Sequence, residues 1–203
     1  MQENAPKTVR PGDGAGIEVS DSLEAVVMAF RKTVIGFVGA LSLMAGMAVA
    51  QDQSTNRVAA KTDWSVFVED NPTECWGVAT PKEVVNTREG RVVAATRGQI
   101  LLMVFYRPSA EAKGQVAFTG GYPFRSGSTV NVNISGNEFE LFTEGEWAWP
   151  ATAADDAKIV TAMKRGAEAV LTGLSSRGTT TKDTFSLLGF TAAVEDAEAR
   201  CGG

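Results

Sequence analysis

The sequence predicts a mainly β protein of the α+β class, built as a single antiparallel β-sandwich domain with one or two short helices near the C-terminus. Short apolar segments recur at close spacing after residue 60, and glycine-containing turns separate them. Helical periodicity is confined to the region after residue 150. The 203 residues are 44% hydrophobic and 21% charged, which is typical of a globular protein.

The first predicted strand spans residues 63–69, where Trp64 and Val66 alternate with the side chains of the opposite face. Residues 74–78 form the second predicted strand. The Asn-Pro pair at 71–72 between them favours a turn. We therefore expect a hairpin near the start of the domain.

The run 100–106 is apolar at every position, which predicts a central strand that is buried on both faces. Residues 83–97 are polar and predict a loop or a weak strand. Further strands are predicted at 114–119, 128–134, 138–142, 167–174 and 180–187.

Two helices are predicted near the end of the chain. Thr152 and Asp155 have the spacing of a capping box, which predicts a helix over 152–165. A last short helix over 189–200 places three residues on one stripe, namely Val194, Ala197 and Cys201.

A secretory signal peptide is predicted before the folded part. Arg31 and Lys32 form a basic start, an apolar stretch follows, and a small-residue triplet ends at Ala50 before Gln51. This pattern predicts cleavage between Ala50 and Gln51. A single transmembrane helix is the alternative, but the stretch is short, rich in Gly and Ala, and followed at once by polar residues.

The position of this segment sets the expected organisation of the chain. A signal peptide normally begins close to its basic residues, so we expect Met28 to be the true start and residues 1–27 to be a non-native or disordered extension. A natural disordered leader is the alternative. Residues 28–50 are the predicted signal peptide and residues 51–203 the single domain. The expected product is periplasmic or secreted, and its mature form does not span a membrane.

Both cysteines of the chain, Cys75 and Cys201, follow the predicted cleavage site. An oxidising periplasm or exterior would allow them to pair, and the bond would tie the C-terminal residues to an early strand. Two unconnected buried thiols are the alternative.

Composition excludes several chemistries. The chain contains no histidine, which removes Ser-His-Asp and Cys-His pairs, histidine general bases and histidine-containing zinc sites. The 19 basic and 24 acidic residues give a net charge of −5, so no nucleic-acid partner is expected. Phosphate-binding glycine loops and EF-hand loops are absent from the sequence, and we predict no catalytic residue, no cofactor and no metal.

A cluster of carboxylates is the one arrangement that could support acid–base chemistry. Glu138 and Glu140 share a face of a predicted strand, and Glu144 and Glu146 follow closely. Carboxylate pairs can catalyse hydrolysis or bind Ca²⁺. Such residues are more often the solvated side of an antiparallel sheet, and we favour that interpretation.

Trp147 and Trp149 are the most suggestive feature of the chain. A spacing of two in an extended segment turns both indoles to one side, where they could form a stacking platform for a sugar ring or a partner's apolar side chain. The alternative, which we favour, is a lid over the open end of the core. Trp64 and Trp76 are predicted core residues, with Trp76 near Cys75.

Several short motifs together resemble one known family. They are the first strand Trp64-Ser65-Val66-Phe67, the early Cys75, the acid-rich helix near Asp155-Asp156-Ala157-Lys158, and the closing Ser186-Leu187-Leu188-Gly189-Phe190-Thr191-Ala192-Ala193 before Cys201. In this combination the chain resembles the invasion-associated locus B family of alphaproteobacteria. The resemblance implies a small exported β-sandwich protein without known enzymatic activity or cofactor, linked in pathogenic members to entry into host cells.

We therefore expect an exported, non-enzymatic envelope protein that binds an envelope or host-surface partner. The alternative is a periplasmic glycan or small-ligand binding module that uses Trp147 and Trp149. A third hypothesis is a hydrolase built on Glu138, Glu140 and Glu144. The identity of the partner and the oligomeric state are left open by the sequence.

Overall fold

The computed structural model describes residues 56–71 and 73–202. This part of the chain forms one sheet of twelve strands, two α-helices and a 3₁₀ turn at Pro108–Ala110. The strands are β1 (Arg57–Lys61), β2 (Trp64–Asp70), β3 (Thr73–Ala79), β4 (Glu83–Arg88), β5 (Arg91–Val92), β6 (Leu101–Arg107), β7 (Ala112–Thr119), β8 (Thr129–Ile134), β9 (Asn137–Glu144), β10 (Trp147–Trp149), β11 (Glu168–Leu174) and β12 (Thr180–Ser186). The helices are α1 (Ala153–Arg165) and α2 (Phe190–Cys201).

All strand pairings in the sheet are antiparallel, and the order is β1-β2-β3-β6-β7-β10-β9-β8-β11-β12-β4-β5. The sheet folds over on itself. Phe118 in β7 meets Phe185 in β12 edge to face, with ring centroids 6.1 Å apart, although four strands separate the two in the sheet. The two layers thus enclose one core, and the predicted mainly β, sandwich-like architecture is confirmed.

The core between the layers is apolar and closed. Removing apolar side chains from water is the main favourable contribution to folding, and this core buries large residues from strands of both layers. The largest that are fully buried include Trp64, Val66, Leu102, Val104, Phe118, Ile134, Leu141, Leu171 and Phe185.

Helix α1 begins where the capping box predicted it. The hydroxyl of Thr152 accepts a hydrogen bond from the backbone N–H of Asp155 at 3.2 Å, which satisfies one of the free amides of the first turn. The Asp156 carboxylate accepts from the backbone N–H of Val116 at 2.8 Å and so joins the helix to β7. Burial raises the pKa of Asp156. The helix buries two apolar side chains, those of Ile159 and Met163.

Helix α2 covers the inner side of β2, β3 and β6. Its first residue, Phe190, packs edge to face on Trp64 with ring centroids 4.8 Å apart. Gly189 precedes it with a φ of +88°, and a Cβ at that position would lie 1.9 Å from the carbonyl oxygen of Lys61. Only glycine allows the chain to enter this helix so close to the edge of the sheet.

A disulfide joins Cys75 in β3 to Cys201 at the end of α2, with the two Cα atoms 5.7 Å apart. The predicted pairing is therefore present, and the alternative of two free thiols is wrong. Because the cysteines are separated by 126 positions, the bond closes a loop that includes most of the domain. It holds the last helix against the third strand.

The other elements agree with the sequence prediction in most places. The polar segment 83–97 contains β4, which pairs with β12, and the two-residue β5. Strand β1 was not predicted, and residue 72 of the predicted first turn lies outside the described residues.

The N-terminal predictions also lie outside the described residues. This applies to the extension 1–27, the signal peptide 28–50, and the cleavage site between Ala50 and Gln51. Across 56–71 and 73–202, neither helix has the length and apolar character needed to cross a membrane.

Candidate functional site

Side chains alternate between the two sides of β2, β3, β6 and β7, and both sides of this part of the sheet are apolar. In β6, Val104 points inward to the core, whereas its neighbours Met103 and Phe105 point to the opposite side. We call this opposite side the outer face. It consists of Phe67, Trp76, Val78, Leu101, Met103, Phe105, Ala117, Phe142, Trp147 and Trp149.

The register of the strands aligns these side chains in rows across the sheet. Phe67, Trp76 and Phe105 occupy directly paired positions on β2, β3 and β6. The Phe67 and Trp76 rings are nearly parallel, with centroids 5.6 Å apart, and Phe105 lies 6.0 Å from Trp76. At the end of this row, the Arg107 guanidinium lies 4.2 Å from the centroid of Phe105 and bonds Glu74.

Trp147 and Trp149 extend the outer face onto β10. Their indoles lie on the same side, 6.3 Å apart between centroids and 19° from parallel. Trp149 packs on the cluster of Met103, Phe105 and Ala117, which is separate from the main core. The two indoles therefore do not close the end of the core, and the lid interpretation is wrong.

Trp76 also departs from the prediction. Cys75 faces the core and bonds Cys201, so its neighbour Trp76 faces the other way because adjacent strand residues point to opposite faces. The indole is half-buried on the outer face. Trp64 does lie in the core, where its ring nitrogen donates to the carbonyl oxygen of Ser186 at 3.0 Å.

A groove of about 520 Å³ runs along the outer face. Trp76, Phe105 and Trp147 line it, together with Gly121 and Glu146. Trp147 is 37% exposed, so part of this large apolar ring remains in contact with water. The groove is an open apolar surface with aromatic walls.

An acidic strip borders the outer face. In β9, Glu144 is paired with Trp147 and Phe142 with Trp149, and Glu138 and Glu140 continue on the same side. Glu140 accepts a hydrogen bond from Thr129 at 2.8 Å, and Glu138 accepts from Asn133. These two carboxylates thus hold side chains of the neighbouring strand, as expected for the solvated side of a sheet.

The described residues contain no group of three or more acidic or cysteine side chains arranged to bind a metal ion. Glu138, Glu140 and Glu144 lie in a row along the exposed face of β9.

A second concave region, which we call the polar cavity, adjoins the outer groove. It has a volume of about 390 Å³ and shares Gly121 and Glu146 with the groove. Arg97 lines its floor and forms an ion pair with the buried Asp183, through two hydrogen bonds of 2.7 and 2.6 Å. Both partners are buried, with 5% and 0% of their side-chain surfaces exposed.

Other polar groups fix the floor of the cavity. Arg97 also donates from Nε to the carbonyl oxygen of Gly120 at 2.8 Å, and its guanidinium lies 5.0 Å from the centroid of the Tyr122 ring. The hydroxyls of Tyr122 and Thr181 bond each other at 2.6 Å. Burial raises the pKa of both Asp183 and Tyr122, and in Asp183 the hydrogen bonds from Arg97 oppose the rise.

Sequence reasoning did not find the polar cavity. Arg97 comes from a segment predicted as a loop or weak strand, Tyr122 from a turn, and Asp183 from a strand near the end of the chain. No local motif links residues this far apart. The segment 175–179 lies between two predicted strands, but its contribution to the cavity wall depends on the pairing of β11 with β8 and β12.

Comparisons with known proteins give a family match and one solved structure. The model of the family described as Invasion associated locus B (IalB) protein matches residues 64–198. A solved structure, described as the crystal structure of invasion associated protein b from Bartonella henselae, is 16% identical with a TM-score of 0.49. That comparison covers 70% of this chain and 95% of the Bartonella chain. No curated protein matches the chain.

Proposed function

The chain belongs to the invasion-associated locus B family, and from this premise we propose that it is an exported, non-enzymatic protein of the cell envelope. In this proposal it acts by binding an envelope or host-surface protein through the outer face. Residues 51–203 form the single mature domain, which is periplasmic or secreted. The protein requires no cofactor for this activity.

The observation that carries the proposal is the partial exposure of aromatic side chains on a rigid sheet. Trp147 and Phe142 are 37% and 52% exposed on the outer face, beside the half-buried Trp76 and Trp149. Contiguous apolar surface bordered by polar residues commonly marks an interaction site, and tryptophan is enriched among the residues that dominate binding energy. Strands hold these rings in place, so little conformational entropy is lost on binding.

The acidic strip indicates the chemistry of the partner. Glu138, Glu140 and Glu144 lie beside Phe142 and Trp147 along one border of the outer face. Charged groups at the border of an interface mainly select the partner and speed association. We infer a partner surface with an apolar centre and lysine or arginine at the edge that meets β9.

Export is supported by two features of the chain. The basic and apolar segments before Gln51 have the order of a secretory signal, and Cys75 and Cys201 form the type of bond that persists in oxidising compartments. Cleavage after Ala50 is part of the proposal.

A glycan or small ligand is the second candidate occupant. Trp76, Phe105 and Trp147 line the groove of about 520 Å³, and the Trp149 ring lies beside Trp147, within 19° of parallel. Such rings can stack on the apolar face of a sugar. Quenching of tryptophan fluorescence by an envelope glycan would favour this candidate. The same glycan should cause no quenching in a Trp147→Ala, Trp149→Ala variant.

Site-specific photocrosslinking in cells tests the protein-binding proposal. The full chain carries a benzoylphenylalanine in place of Phe142, which lies on the outer face, or in place of Val92, which is 77% exposed in β5 at the far edge of the sheet. We expect a defined envelope-protein adduct from position 142 and none from position 92. The adduct should disappear when Trp147→Ala and Trp149→Ala are added.

The matched control combines Val92→Ala with Leu188→Ala, because both side chains are exposed and lie away from the outer face. This control should keep the adduct from position 142. Equal crosslinking from positions 142 and 92, or an adduct that persists without both indoles, would remove the outer face from the proposal. Mass spectrometry of the same bait tests export independently, since a cleaved chain begins at Gln51.

A further inference from the structure

The polar cavity beside the outer groove has a charge arrangement that the proposed function does not use. On the floor of the cavity, Asp183 neutralises the charge of Arg97. Two hydrogen bonds to Asp183 and one to the carbonyl oxygen of Gly120 hold the Arg97 guanidinium in place. Any additional charge of the cavity therefore comes from its walls and mouth.

Two more arginines line the cavity. Arg88 at the end of β4 donates from Nη2 to the Thr179 hydroxyl at 2.7 Å, and Arg177 lies in the turn between β11 and β12. Within the described part of the chain, neither guanidinium forms a salt bridge. One carboxylate, that of Glu146, lines the cavity with them.

Neighbouring residues add to the positive charge at the mouth. Arg91 in β5 is directly paired with Arg88, and neither side chain is bonded to a carboxylate among the described residues. Like charges at directly paired positions destabilise a sheet. The Arg125 guanidinium lies beside Gly178, 3.3 Å from where a Cβ would be. Arg88, Arg91, Arg125 and Arg177 thus add to Arg97 in one region of a chain whose net charge is −5.

Hydroxyl groups complete the lining. Thr179 and Thr181 are 6% and 1% exposed, and the Ser175 hydroxyl accepts from the backbone N–H of Thr179 at 3.0 Å. Guanidinium groups bind tetrahedral oxyanions through paired N–H donors, and hydroxyls can donate to the remaining oxygens.

We propose that the polar cavity binds a small polar molecule through a phosphate or sulfate group held by Arg88 and Arg177. The anion lies at the mouth, where it also offsets the repulsion between Arg88 and Arg91. The hydroxyl-lined interior accommodates the polar remainder of the molecule. This inference does not depend on the outer face, because the two arginines do not belong to it.

Titration of the intact, isotopically labelled protein tests the site. Inorganic phosphate, sulfate and glycerol phosphate are added at constant ionic strength, with chloride as the reference anion. We expect saturable shifts of the backbone amides of 175–179. Glycerol phosphate should bind more tightly than inorganic phosphate, because its glycerol enters the hydroxyl-lined interior, and equal affinity would contradict that part of the proposal. Stronger binding of sulfate than of inorganic phosphate would assign the site to sulfated ligands.

The test variant combines Arg88→Gln with Arg177→Gln, and the matched control combines Arg57→Gln with Arg165→Gln. All four side chains are exposed and lack salt bridges among the described residues, so the change in net charge is the same. The dissociation constant should rise about tenfold or more in the test variant only, because charge-assisted hydrogen bonds are lost. Equal weakening in both variants, or unsaturable shifts spread over the whole protein, would overturn the proposal.

Discussion

The inner and outer faces of β6 and β7 have similar composition and different surroundings. On the inner face, Val104 and Phe118 are fully buried by the second layer of the sheet and by helices. On the outer face, Met103 and Phe105 are 5% and 9% exposed, but the side chains that cover them belong to the same face. The rings at the border of that face, such as Trp147, remain partly in water.

This difference separates stability from binding. Side chains of the inner face exchange water for close-packed protein and contribute most to the free energy of unfolding. The border rings of the outer face, such as Trp147 and Phe142, keep apolar area that a ligand or partner can cover. Substitutions on the inner face should therefore lower the free energy of unfolding strongly, and substitutions of these border rings should leave the protein folded.

Removal of the disulfide should have the largest effect. In the Cys75→Ala, Cys201→Ala variant, the free energy of unfolding should fall by about 4–5 kcal/mol, because the unfolded chain is no longer closed into a long loop. Urea denaturation under oxidising conditions measures the loss. Wild-type protein treated with a reductant should lose a similar amount, whereas unchanged stability in both samples would show that α2 is held by packing alone.

A pair of phenylalanine substitutions tests the two faces directly. Phe118→Ala on the inner face should cost about 3–5 kcal/mol because it leaves a cavity in a closed core. Phe142→Ala on the outer face should cost less than about 1 kcal/mol, since that ring is 52% exposed. Similar losses for both variants in urea denaturation would contradict the assignment of stability to the inner face.

The buried ion pair in the polar cavity should respond to both mutation and pH. Arg97→Met leaves Asp183 buried without its cation and should cost about 3 kcal/mol at neutral pH. Burial already raises the pKa of this carboxyl, and without Arg97 the ionised form is disfavoured further. The cost should therefore shrink as the pH falls and Asp183 becomes protonated.

Denaturation of this variant and of the wild type at several pH values provides the measurement. A cost that does not change with pH would mean that lost packing of Arg97 on Tyr122, and not the unpaired charge, is responsible.

The smallest effect is expected where α2 meets the edge of the sheet. Asp196 bonds Lys61 of β1 and Arg200 of its own helix, and the hydrogen bonds from Arg200 and then Lys61 hold its pKa below the ordinary value. A lowered carboxyl pKa contributes stability above the unfolded pKa and loses it as the pH falls through the folded pKa. Asp196→Asn should therefore cost about 0.5 kcal/mol at pH 7 and nothing in strong acid.

Thermal unfolding of Asp196→Asn and wild type across pH 2–7 tests this expectation. A difference between the two proteins that persists at the acid end would show that the charge of Asp196 is not the cause.

Much of the fold follows from local patterns. The alternation at Trp64 and Val66 gave the correct face of β2, and the fully apolar run at 100–106 indicated that β6 would be buried on both sides. The capping residue Thr152 marked the start of α1. Such features depend on residues close together in the chain, so the sequence can reveal them without a known sheet order.

The candidate sites were less predictable. The spacing of Trp147 and Trp149 indicated a common direction, but not that Trp149 would pack on Phe105 and Met103 outside the core. Trp76 was assigned to the wrong face because apolar residues on both sides of β3 leave the direction ambiguous. Strand β1 has too little apolar alternation to be recognised without β2 beside it.

The sequence by itself determined the strand and helix periods, the helix start and the presence of two cysteines able to pair. Tertiary structure alone decided which apolar face is covered, and it brought Arg88, Arg97 and Arg177 to one cavity. The physical reason is the range of the interactions. Secondary structure follows from contacts between neighbours in the chain, whereas the covered face and the cavity depend on how distant strands pair and how the sheet folds over itself.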